Sequence, residues 1–185
     1  MLAYSSVGQI GYIVLGAALT NQRAMTGGLL HILNHALMKG TLFLVVGSVV
    51  YKTGIENISD MKGLGKKMPY TMAAFTIGAL SMIGFPLTAG FVSKWFLLIG
   101  SVEIGQIPLL LVLLASTFLN VAYFFPVIIN AFFKRPDKEL SYREAPLFML
   151  IPLILTGIFS IILGILPDEP LAMVRIAVAN LMGGK

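Results

Sequence analysis

Long apolar runs separated by short polar punctuation organise this chain. Five runs can be read as helical spans: residues 3–20, 25–51, 69–100, 108–133 and 145–166. A helix needs about 20 apolar residues to cross a hydrocarbon core of about 30 Å. The first run ends at the polar turn Asn21-Gln22-Arg23, and the second is long enough to cross with tilt. The third opens at Pro69, a residue suited to the first turn of a helix, and at roughly 30 residues is too long for one plain crossing. It carries its own interruption, because Gly84, Pro86 and Gly90 fall within seven residues in mid-run. Proline lacks an N–H and clashes with the preceding turn, which predicts a kink or break. Residues 169–185 read as a short interfacial tail, leaving 1–168 as a single transmembrane helical domain without an internal repeat.

Composition fixes the solvent. The chain is 57% hydrophobic and 11% charged, whereas soluble domains carry about 25% charged residues. The expected class is an all-α integral membrane protein of about five transmembrane helices, the third broken at Gly84-Pro86-Gly90. The net charge of +5 does not imply nucleic-acid binding, because the basic residues sit in short loops between apolar runs. Loops 52–68 and 134–144 hold Lys52, Lys62, Lys66, Lys67, Lys134, Arg135, Lys138 and Arg143, and the other side holds Arg23, Arg175 and Lys185. Eight against three predicts both loops to be cytoplasmic and the C-terminus to lie outside, in a cell (inner) membrane. The chain has no cysteine, so thiol and iron–sulfur chemistry are excluded. Its opening reads as the inside of a helix with no signal peptide, and is expected to belong to a larger architecture.

Two lysines depart from this charge pattern. Lys39 and Lys94 fall inside the apolar runs, where an ammonium costs about 2.5–3.5 kcal/mol on insertion scales. His31, His35 and Lys39 recur every four residues, about 6 Å apart along one side of a helix. Imidazoles titrate near neutral pH, so this series suits a proton relay over about half a membrane; the alternative is a set of buried hydrogen-bonding residues that fix helix packing. Zinc is disfavoured, because no cysteine or intramembrane carboxylate offers a third ligand. Lys94 follows the break by about two turns. A break at membrane depth frees backbone groups that protein or a water-filled cavity must satisfy, and transporters use such breaks as ion sites; the alternative is a plain kink, with Lys94 snorkelling to the outer interface. Polar stripes at Ser5, Gln9 and Tyr12, and at Ser116, Thr117, Asn120 and Tyr123, suit either channel waters or interhelical hydrogen bonds. Ser5, Gln9, Thr117 and Asn120 are the candidate channel-lining residues. No Asp or Glu falls within a span, so the lysines need water, a carbonyl cage or a partner's acid.

The segments His31-Ile-Leu-Asn-His35-Ala-Leu-Met-Lys39-Gly, Gly63-Leu-Gly-Lys-Lys-Met-Pro69 and Gly84-Phe-Pro-Leu-Thr-Ala-Gly-Phe-Val-Ser-Lys94-Trp, together with Tyr4-Ser-Ser and Gly8-Gln-Ile-Gly-Tyr12, resemble the antiporter-like family. It comprises Mrp-type sodium/proton antiporter large subunits, proton-pumping subunits of complex I and membrane-bound hydrogenase counterparts. The resemblance is specific from residue 3 to about residue 100. It implies the last five spans of a fourteen-span fold built from two inverted repeats. It also implies that Lys94 is the charged residue of the second broken helix, near the outer exit, and that Lys39, His35 and His31 belong to a central hydrophilic axis. The first repeat, with its glutamate–lysine pair, is outside this chain; a split subunit, a truncation or a reduced protein would each account for that.

The expected function is an ion-translocating subunit that moves protons, or Na⁺ in exchange for H⁺, along His31, His35 and Lys39 to Lys94. It would work within a multi-subunit antiporter or redox-driven pump. Its expected partners are other membrane subunits, one supplying the missing repeat, together with the lipid bilayer. No catalytic chemistry or cofactor is expected in the chain itself. The rivals are a non-conducting subunit that scaffolds such a complex, an enzyme, whose redox activity would then reside in partners, and a small-solute carrier.

Overall fold

The computed structural model describes residues 1–136 and 143–183. The charges on Lys138 and Lys185, and the middle of the predicted 134–144 loop, lie outside the described residues. The described residues form helices joined by short turns, with no strand among them: α1 Leu2–Ala18, α2 Gln22–Thr53, α3 Leu64–Lys67, α4 Pro69–Ile83, α5 Ala89–Glu103, α6 Ile107–Phe133, α7 Leu147–Ile165 and α8 Asp168–Gly183, plus a 3₁₀ turn at Ile58–Asp60. Three of them, α2, α6 and α7, are long and apolar enough to cross a membrane. The apolar α1 and α4 are shorter.

The central helix is α2, which touches α1, α4, α5, α7 and α8. It starts one turn before the predicted run because Asn21 caps it, Oδ1 accepting from the Ala24 N–H at 2.7 Å. The Asn21 amide also donates to Gly100 O at 2.9 Å, which ties α2 to the end of α5. Helix α2 stops at Gly54, whose φ of +69° only glycine adopts freely. Met38, Leu42, Val45 and Val49 of α2 pack with Met72, Phe75 and Met82 of α4, Phe124 of α6 and Leu153 of α7. Small residues bring helices within backbone contact, since a Cβ on Gly16 would lie 2.7 Å from Gly28 Cα.

The segment expected as a single loop, residues 52–68, is partly folded. Its 3₁₀ turn and α3 bury Met61, Leu64 and Met68. The Gly63 N–H donates to Asn130 O (3.0 Å) and Asn130 Nδ2 donates to Ile58 O (3.1 Å), fastening the segment to α6. Apolar side chains inside a basic loop give it a core of its own. The predicted tail forms α8, which packs on α2 and buries Leu171 and Val178.

A second fastening joins α7's approach to α4. Glu144 accepts from the Tyr70 N–H (3.0 Å), the Thr71 N–H (3.4 Å) and the Thr71 hydroxyl. Its carboxylate thus caps α4 from a distant segment, at the end of the helix dipole that favours negative charge. Glu144→Ala is expected to destabilise the protein by about 1–2 kcal/mol. A lowered thermal midpoint in detergent checks this, and Glu144→Gln, which keeps an acceptor oxygen, should lose less.

Candidate functional site

Helices α4 and α5 are the two halves of the long third run. The first half ends at Ile83, and Gly84 turns the chain at φ +91°. Gly84 and Phe85 both donate N–H to Leu80 O, at 3.0 and 2.9 Å. Pro86 lies in the exposed turn, followed by Leu87 at φ +69°, and α5 begins at Ala89. Three polar groups brace the break. Gly90 donates its N–H to Ser81 Oγ at 3.1 Å, Ser160 of α7 meets Ser81 at 2.9 Å, and Asn34 of α2 donates to Ala89 O at 2.7 Å.

Lys94 turns back to this break. It is only 6% exposed, and its ammonium donates to Met82 O at 2.7 Å and Ile83 O at 3.2 Å. These carbonyls belong to the last turn of α4, where an interrupted helix lacks onward partners and its dipole is negative. The Tyr12 ring lies under the same ammonium, with Nζ 4.8 Å from its centroid. Carbonyls and a ring therefore answer the missing counter-ion for Lys94, and the side chain does not snorkel outward.

Lys39 lies beyond the histidines and is also held by neutral oxygens. It is 6% exposed and donates to Leu2 O at 2.7 Å and to the Ser5 hydroxyl. Between the lysines lie the two histidines, their rings stacked at 6.1 Å with planes 9° apart. Both nitrogens of the fully buried His31 are partnered, Nδ1 with Ser93 Oγ at 2.8 Å and Nε2 with Gln9 Oε1 at 2.9 Å. The Tyr12 ring meets His31 edge-on at 5.4 Å. His35 is half-buried, and its Nε2 has no protein partner.

Helix α1 supplies one polar residue to each of three groups: Ser5 to Lys39, Gln9 to His31 and Tyr12 to Lys94. The stripe read at helical spacing in α1 is therefore spent on the titratable residues. The α6 stripe stands across a cleft from it. Ser5, Gln9, Ser116, Asn120 and Tyr123 line a cleft of about 320 Å³. A neighbouring cleft of about 240 Å³ shares Gly8 and Ser116 and is reached by Tyr12. Tyr123 donates to Asn120 Oδ1, whereas Thr117 is half-buried and lines neither cleft. The sequence pattern does not single out Asn34, Ser81, Ser93 and Ser160 as site residues. Asn34 and Ser93 do lie within the histidine and lysine motifs, and a buried amide or hydroxyl beside a titratable group is the signal that marks them. Among the described residues no three of His, Cys, Asp and Glu gather as a metal site.

Apolar helices of membrane-crossing length surround two buried ammonium groups, two stacked imidazoles and a carbonyl-lined helix break. That combination defines a multi-helix membrane protein with buried basic groups among its helices. The family model described as NADH:quinone oxidoreductase/Mrp antiporter, TM matches residues 1–120, and the chain belongs to that family. The chain is 47% identical to NADH-quinone oxidoreductase subunit N of Desulforudis audaxviator, over 91% of this chain and 36% of the relative. It is 34% identical to F(420)H(2) dehydrogenase subunit L of Methanosarcina mazei, over 90% of this chain and 27% of the relative. Its fold is similar to the Mrp complex of Dietzia sp. DQ12-45-1b, with a TM-score of 0.91 and 25% identity over 98% of this chain and 42% of that one. The chain thus spans well under half the length of these relatives.

Proposed function

We propose that the chain is the part of an ion-translocating membrane subunit that carries protons to Lys94. The observation that carries this reading is the Lys94 ammonium, buried without a carboxylate and held by α4's last carbonyls beside the aromatic neighbour of His31. Its chemistry suits a group that is charged on the carbonyls and neutral once they are released. The order of transfer is Lys39, His35, His31 and then Lys94, because His31 is the histidine that shares Ser93 and Tyr12 with the α5 side. On this reading α4 and α5 together make one broken span beside α1, α2, α6 and α7, and α8 lies at the interface. The basic end of α2 faces the cytoplasm and the C-terminus lies outside.

The partners are further membrane subunits of an antiporter or redox-driven complex, in keeping with the names of the relatives. Conformational or charge changes in those partners drive the lysines between their two states. Exchange of Na⁺ for H⁺ is the antiport version of the same path.

Lys39→Met tests the relay. In membrane vesicles holding the assembled complex, driven proton uptake is expected to fall on the order of a hundredfold, the scale set by loss of a positioned proton-transfer group. The amount of assembled complex should be unchanged. Full uptake in this variant discards the relay and leaves the scaffold reading.

A further inference from the structure

Among the described residues, the side chain of Tyr12 touches both His31 and Lys94. The two groups it touches are both held by neutral partners. An ammonium has three N–H donors. Two of Lys94's reach Met82 O and Ile83 O, and the Tyr12 ring face takes the remaining side. His31 spends one nitrogen on Gln9 and the other on Ser93, whose hydroxyl also reaches Gly90 O at 3.2 Å. Both His31 nitrogens and two of the Lys94 N–H groups are thus spent on other partners, and the Tyr12 ring lies against both residues.

We propose that Tyr12 is a gate on proton transfer between His31 and Lys94, shut in this structure by its ring. The inference rests on the relay described under Proposed function. When the ring is in place, it holds the ammonium against α4 and keeps water from bridging the two residues. When the ring withdraws, a neutral Lys94 amine takes the proton that His31 gives up. One N–H bond breaks at the imidazole, directly or through a bridging water, and one forms at Nζ with the amine's lone pair. The Tyr12 hydroxyl takes no part in the step. It is buried at the wall of the α1–α6 cleft, on the Ser116 and Thr117 side.

The gate differs from a packing residue in one measurable respect, the passive leak. The test uses sealed vesicles carrying the assembled complex without its driving reaction, with a proton gradient imposed and its decay followed by a pH-sensitive dye. Tyr12→Ala is expected to raise the leak about tenfold, equivalent to about 1.4 kcal/mol off the barrier. Tyr12→Phe, which keeps the ring, is expected to stay at the wild-type leak. If Tyr12→Ala does not assemble, Tyr12→Leu carries the same expectation with less lost volume. The double variant Tyr12→Ala/Lys94→Met is expected to seal again, because the path ends at Lys94.

An unchanged leak in the assembled alanine or leucine variant overturns the gate. So does an equal leak in Tyr12→Phe, which would assign the barrier to the hydroxyl, or a leak that persists in the double variant, which would be a hole through the bundle. Failure of the underlying relay looks different, since it would leave driven uptake intact in Lys94→Met alone.

Discussion

Driven proton uptake in the Lys94→Met variant is expected to fall on the order of a hundredfold or more, with the fold and the complex retained. Methionine fills a similar volume and leaves the break to its other braces, which are Gly84 at φ +91°, the Gly90–Ser81 bond and the Asn34–Ala89 bond. Only the exchangeable proton and the donor to Met82 O and Ile83 O are lost. Those carbonyls remain at a helix end, where losing a charged hydrogen-bond donor costs about 1–3 kcal/mol. A modest drop in the thermal midpoint should therefore accompany the loss of transport. Lys94→Arg separates carrying a proton from capping a helix. A guanidinium keeps the positive charge and the donors but does not release its proton in proteins. If Lys94 serves only as a fixed cation on α4's C-terminus, arginine restores uptake. If Lys94 carries the proton, the arginine variant is stable and as inactive as the methionine one.

The helix break is legible in the residues themselves because three special ones converge on it. Gly84 permits the left-handed turn, Pro86 cannot continue the helix, and Gly90 lets α5 approach α4. The four-residue spacing of His31, His35 and Lys39 likewise places them on one side of α2, and the stacked rings follow from that spacing. What holds Lys94 is less visible. Its partners are backbone carbonyls, which no residue letter encodes, although a proline break always frees carbonyls about one turn earlier. Pairings such as Gln9 with His31, Thr41 with Thr156 at 2.8 Å and Glu144 with the start of α4 join segments far apart in sequence. Their existence depends on which helices become neighbours, and the apolar pattern of a membrane bundle says little about that. The fold of the 52–68 segment is hidden for a related reason. Its few apolar residues fall below the length of any span, yet they suffice to seat α3 against α6.

The two buried lysines also show how cations are held in an apolar interior with, among the described residues, no carboxylate bonded to them. Each ammonium lies on backbone carbonyl oxygen, Lys94 on the C-terminal turn of α4 and Lys39 on Leu2 O in the first turn of α1. A carboxylate would hold an ammonium more tightly by direct charge attraction, and a proton carrier bound that firmly would release slowly. Carbonyls and a π face hold it less strongly, and under the proposed function small movements of α4 against α5 would shift the balance between the charged and neutral lysine. The Arg23–Glu103 pair at 3.0 Å has no such role, being about half exposed and worth little as an isolated surface ion pair.

That dependence on the α4–α5 contact makes Gly90 the position where the smallest substitution should do the most structural damage. A Cβ there would overlap the Ser81 carbonyl oxygen and come within 3.0 Å of Met38 Sδ. The methionine can move; the Ser81 carbonyl is backbone in the last turns of α4 and cannot move without displacing the helix. Gly90→Ala must therefore push α5 away from α4, break the Gly90–Ser81 hydrogen bond and carry Lys94 off its carbonyls. The expected cost is about 3 kcal/mol or more, at the upper end for overpacked cores. It should appear as a lower thermal midpoint and less assembled complex. Gly47→Ala is the matched control, because it adds the same methyl group in α2 where nothing lies within 4 Å. An alanine in an open helical position should be neutral or slightly stabilising. If the two variants melt together, the close approach of α5 to α4 is not what holds the break in place. If Gly90→Ala assembles yet loses uptake while Gly47→Ala keeps it, the spacing of the two half-helices sets where Lys94 rests and so whether the axis conducts.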